Sequence, residues 1–219
     1  MLVLTKSMDF LHLRIYPSIP KIPSRKDRAK IMPENIVVEI GAPTLAGIKT
    51  GSLINVDCGN DTKRKICQDI RDMNRSFSGK GIRAVPLRFH NGKVLLYLYR
   101  PLFLEKDLAN EQAKQLLKER HYPLHSIEDA VATLAKKTSL CSCSQDFPHE
   151  IGLFLGYPAE DVKAFIEHKY EGCKLVGTWK VYGDVEKSAA LFARYRRCTN
   201  SYRLQWRRGK SLYDLTVRT

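Results

Sequence analysis

The chain has 219 residues, 43% apolar and 27% charged, enough to bury one good core but short for two full domains. Its net charge of +14 is uneven, with +5 in residues 1–31, +8 in residues 187–219 and only +1 between them. No stretch approaches the roughly 18 to 20 uninterrupted apolar residues of a membrane span, and six cysteines behind a start that lacks secretory features read as reduced thiols in a cytoplasmic protein.

Residues 1–31 are broken by Pro17, Pro20 and Pro23, carry the run SRKDRAK and have no sustained period, so they read as a basic extension before a domain that starts at Met32. NIVVEI is a short helix or strand, GAPTLAGIKT a Gly/Pro/Thr-rich turn and SLINV a strand. TKRKICQDIRDMNRSF sets Ile66, Ile70 and Met73 at helical spacing and stops at Ser78-Gly79-Lys80-Gly81. GIRAVPLRFH and KVLLYLYRP flank Asn91-Gly92, a pair that takes the positive φ angles of a two-residue hairpin turn. LEKDLANEQAKQLLKERHY and SIEDAVATLAKKTSL are two helices, the second opened by Ser126-x-x-Asp129. Residues 149–166 form a helical hairpin, KLVGTWKVYG a strand, and a long basic helix runs from 185 to 208 with Asp184 as N-cap. Together these elements predict a single α+β domain over residues 32–219, a small and mostly antiparallel sheet covered by helices.

Several segments carry candidate chemistry. GAPTLAGIKTGS resembles a phosphate loop, but five residues separate Gly41 from Gly47 and Ile48 precedes Lys49, so it reads as a structural turn. His149 and Glu150 fall in the first turn of a helix, where a neutral imidazole and a carboxylate serve either as an acid-base pair or as a cap. Cys141 and Cys143 alternate in an extended stretch six residues before His149, the outline of a thiol metal site that still needs a fourth ligand. The 149–166 hairpin has helix-turn-helix spacing, yet Glu160 and Asp161 would face phosphates on its second helix, so packing is its expected role.

In GTWKVYGD, Trp179 and Val181 alternate with Thr178, Lys180 and Tyr182, which puts Lys180 and Tyr182 on the face open to an anion; Arg100 is a second cation at a strand end. On the terminal helix, Phe192, Tyr195, Thr199, Tyr202 and Trp206 share one stripe, and Arg196, Asn200, Arg203 and Arg207 share the next.

Two functions follow as expectations. The first is a pocket for a small anionic ligand, with Thr44, Lys49, Arg100, Lys180 and Tyr182 binding and His149 and Glu150 acting on it. The alternative is nucleic-acid binding through Arg196, Arg203 and Arg207 or through the hairpin, and a weaker one is the metal site at Cys141, Cys143 and His149. The residues specify neither a cofactor nor an oligomeric state.

The chain resembles a bacterial family, domain of unknown function 3793, through APTLAGIKTGSL (residues 42–53), VLLYLYRP (94–101), HEIGLFLGYPAEDV (149–162), GTWKVYGD (177–184) and YRRC (195–198). The resemblance implies homology over most of residues 36–200 and carries no reaction, cofactor or catalytic residue. Gly41 stands where the family pattern suggests a cysteine, which removes a thiol from that position.

Overall fold

The computed structural model describes residues 34–59, 62–141, 147–169 and 171–219. The expected basic extension and the start at Met32 lie outside the described residues. At the centre is an antiparallel three-stranded sheet in the order β1-β3-β2, made of β1 Gly51–Asp57, β2 Arg83–His90 and β3 Lys93–Tyr99. The middle strand is apolar almost throughout because both of its faces are covered. Val94, Leu96 and Leu98 enter one core, and Tyr97 and Tyr99 enter the other. The hairpin turns as expected, with φ of 47° at Asn91 and 69° at Gly92. Pro86 sits on the edge strand β2 beside a bulge that leaves Leu87 without a register partner, an arrangement that tolerates the missing N–H.

Helices α1 Glu34–Leu45 and α2 Lys63–Phe77 cover the first face of the sheet. The second face carries α3 Pro101–Leu108, α4 Glu111–Glu119, α5 Ile127–Leu140, α6 Ile151–Phe154 and α7 Ala159–His168. Two short strands follow, β4 Leu175–Val176 and β5 Lys180–Val181, then the long α8 Val185–Arg207 and the short α9 Leu212–Leu215, which seals the first core. Helix α8 spans both cores, placing Tyr195 and Phe192 in one and Tyr202 and Trp206 against the other. The fold is α+β, with the expected helical hairpin and long C-terminal helix. Asp184 caps α8 by accepting from the Lys187 amide at 2.9 Å.

Three local expectations are corrected. Residues 41–45 are not a turn; they complete α1 despite Pro43. Gly41 makes this possible, since a Cβ there would lie 3.1 Å from Leu98 Cδ2, so its absence lets α1 settle on the sheet. The helix ends two residues later in a Schellman motif: Gly47 has φ of +67°, its amide donates to Thr44 O at 3.2 Å, and the Ile48 amide donates to Pro43 O at 3.0 Å.

The helix expected over residues 104–122 is two helices, α3 and α4, because Asn110 Oδ1 accepts from the Gln112 and Ala113 amides at 3.0 and 3.2 Å and starts a new N-terminus. KLVGTWKVYG is not one strand but two two-residue strands joined by a tight turn in which the Gly177 amide donates to Trp179 O at 3.0 Å. A Cβ on Gly177 would fall 2.1 Å from the Phe192 ring, so only glycine lets this turn lie on α8.

Candidate anion-binding cavity

Three helices end around one hollow. Arg120 is the C-cap of α4, Lys137 lies in the last turn of α5, and Lys169 is the C-cap of α7 with a positive φ of 56°. A cation is favoured at such ends because the last carbonyls carry the negative pole of the helix. The turn Pro148-His149-Glu150 closes the hollow ahead of α6. Its volume is about 470 Å³, within the range that holds a small molecule. Cys141 and Ile166 contribute to the lining, and Leu140, 69% exposed, stands at the rim.

Glu150 is 3% exposed and its carboxylate accepts from the Tyr122 hydroxyl at 3.0 Å, with Lys137 Nζ 3.8 Å from the same oxygen. Burial, with the Glu150 charge beside it, raises the Tyr122 phenol far above its ordinary range, so the phenol stays a donor. Lys137 also donates to Arg120 O at 2.7 Å and lies 4.8 Å from the centre of the Tyr122 ring. The His149 ring meets Phe165 edge-on at 5.1 Å and lies 6.0 Å from Phe147. Burial first, then the positive charges of Lys169 and Arg120, pull the His149 imidazole down to about 4. At neutral pH the cavity wall therefore holds a neutral imidazole, one carboxylate and three cations.

The residues expected to bind the ligand do not share one concavity. Lys180 and Tyr182 come to the same end of α7 as His149: Lys180 Nζ is 5.4 Å from the centre of the Phe165 ring, and the Tyr182 hydroxyl donates to Lys169 O. Lys180 is buried together with its neighbours Trp179 and Val181, which corrects the expected alternation of faces. Lys49 lies elsewhere, 5.3 Å over the Tyr157 ring, and burial lowers its amine to about 7.

Thr44 and Arg100 are structural. Thr44 is buried with its hydroxyl 2.9 Å from Ser52 Oγ. Arg100 is fully buried, and all of its donor atoms are turned onto protein oxygens, among them Leu45 O at 2.7 Å and Val217 O at 2.8 Å. Neither group is presented to a ligand.

Of the residues considered for nucleic acid, Arg196 and Arg207 are exposed, whereas Arg203 grips the Glu39 carboxylate through two nitrogens. The aromatic stripe of α8 packs inward, so it offers no stacking platform. Cys141 and His149 line the same cavity, Cys143 lies outside the described residues, and among the described residues no group of three His, Cys, Asp or Glu side chains is clustered for a metal.

A family model described as protein of unknown function DUF3793 matches residues 37–216, more than half of the chain. The chain belongs to the DUF3793 family. The match takes in the whole sheet, both cores and every residue of the cavity, so the hollow lies within the DUF3793 region itself. No curated protein and no solved structure matches the chain. No described helix is long and apolar enough to cross a membrane.

Arg120, Lys137 and Lys169 are the members of the site that sequence reasoning missed. Each was visible only as a cation near a helix end, in KERHY, AKKTSL and IEHKY.

Proposed function

We propose that this DUF3793 protein binds a small, multiply charged anion in the cavity between the ends of α4, α5 and α7, with His149 and Glu150 as the groups that would act on it. The observation that carries the reading is the charge of the wall, three cations around a single buried carboxylate that is itself held by Tyr122 and Lys137. Arg120 and Lys169 are exposed and suit an entering anion, while Lys137 and Tyr122 orient Glu150 behind them. The neutral His149 adds a group that donates or accepts a proton without competing for the cations. Cytoplasmic location belongs to the same reading; no disulfide joins the described cysteines, which suits a reducing compartment.

Calorimetric titration with orthophosphate, pyrophosphate and citrate tests the proposal. At least one should bind the wild-type protein, and Arg120→Gln with Lys169→Gln should weaken it by about tenfold or more, the loss of one charge-assisted contact. The same two cations would instead serve only as helix caps if the double variant unfolds more easily while the wild type takes up none of the three anions.

A further inference from the structure

Helix α8 has two unlike sides. On the inner side Phe192 meets Trp179 edge-on at 4.5 Å, Tyr195 is buried, and Tyr202 and Trp206 rest on the other core. These contacts fix the helix along much of its length. On the outer side Arg194, Arg196, Arg197, Arg207 and Arg208 are all exposed, and none has a carboxylate partner among the described residues. Arg203, with Glu39 as its partner, marks the contrast. Glu186, in the first turn, is the one acidic residue on the helix.

The spacing makes two adjoining stripes. Arg194, Arg197 and Arg208 share one with Ser201 and Leu204, and Arg196 and Arg207 share the next with Asn200. From Arg194 to Arg208 the first stripe covers about 21 Å at 1.5 Å per residue. Five unneutralised guanidinium groups on a rigid rod call for an extended polyanion, and the surface narrows the choice. Single strands are bound by stacking bases on exposed aromatics, and α8 presents none. A bilayer surface needs an apolar face, and Leu204, 50% exposed, is the one large apolar side chain that α8 exposes. Guanidinium forks match phosphate oxygens, and a duplex carries about one charge per 1.7 Å of its axis.

We propose that the outer face of α8 binds the phosphate backbone of double-stranded nucleic acid without reading its bases. This surface is distinct from the anion cavity, and the failure of either proposal leaves the other standing.

The test is fluorescence anisotropy of the full chain with a labelled duplex of about 24 base pairs, from about 50 to 200 mM KCl. The wild type should bind at low salt, and Arg194→Gln/Arg197→Gln/Arg208→Gln should reduce the slope of log K against log salt by about 2 to 3, close to 0.9 per lost contact. Each single variant should remove about one such step. Because the three side chains are exposed, the melting temperature should not change.

A triple variant with the same charge loss in the basic extension, Lys6→Gln/Arg25→Gln/Arg28→Gln, should leave the slope near the wild-type value. The proposal is overturned if that control loses as much as the α8 variant, if a single strand of equal length binds more tightly, if phosphatidylglycerol vesicles bind in preference to the duplex, or if no duplex binds at low salt.

Discussion

Arg100 occupies the end of β3, where a cation reads as a ligand contact, yet its guanidinium closes the molecule on itself. Nε donates to Thr44 O at 2.6 Å, Nη1 to Lys80 O at 3.1 Å and to Thr219 Oγ1 at 2.7 Å, and Nη2 to Leu45 O and Val217 O. Five donors meet five acceptors from four separate parts of the chain, and two of those acceptors are end carbonyls of α1. Replacement by methionine keeps the volume but leaves buried carbonyls without donors, and charge-assisted bonds contribute about 1.5 to 3 kcal/mol each. Arg100→Met should therefore lower the urea-unfolding free energy by about 3 kcal/mol or more. Arg100→Lys should recover little of it, because an ammonium has three donors and no planar fork. A loss below about 1 kcal/mol for the methionine variant would contradict the structural role. Nothing in VLLYLYRP distinguishes a clasp from a ligand contact, since the acceptors come from residues 44, 45, 80, 217 and 219.

At the scale of elements, Asp161 joins the helical hairpin to the segment before α8. Its Oδ2 accepts from the Trp179 indole N–H at 2.7 Å, and Oδ1 accepts from the Tyr182 and Gly183 amides at 2.7 and 2.8 Å. Glu160 lies against Gly183, where a Cβ would come within 2.4 Å of its carboxylate. The acids that argued against DNA contact for this hairpin are thus its own packing groups. Asp161→Ala should cost about 3 kcal/mol, because an indole N–H and two backbone amides lose their acceptor. Asp161→Asn keeps one oxygen for the amides and turns an NH₂ toward the indole, so its cost should be smaller, about 1 to 2 kcal/mol. Urea unfolding followed by Trp179 fluorescence checks both, and equal costs for the two variants would refute this division of labour.

The elements most legible in the sequence were those set by local signals: the Asn91-Gly92 hairpin, the Ser126 and Asp184 caps and the period of α2 and α8. Those misread were set by tertiary packing. Gly41 and Pro43 look like a turn until Leu98 is placed beneath them, and Gly177 looks like part of a strand until Phe192 is placed against it.

At the scale of the molecule, the sheet separates two cores, and the candidate cavity lies among the helices of the Tyr97 and Tyr99 face, drawing on residues from 120 to 169. His149 and Glu150 were singled out from the sequence because a helix start is a recognisable feature. Their cationic companions were not, because a Lys or Arg at a helix end is ordinary, and only the packing of α4, α5 and α7 brings three such ends to one hollow. The convergence expected of residues 44, 49, 100 and 180 failed for a related reason, as burial and internal partners hold those groups elsewhere.

The central claim, an anion seated beside His149, is tested most directly by the titration of that imidazole. Its ring resonances can be assigned with a His149→Gln variant and followed by NMR as the pH is lowered, in chloride and then in pyrophosphate. In chloride the midpoint should lie near 4, held down by burial and by Lys169 and Arg120. A bound polyanion offsets those charges and favours the protonated ring, so the midpoint should rise by about one unit or more, and by linkage the anion should bind more tightly as the ring gains its proton. A His149 midpoint that is the same in both salts would contradict the account.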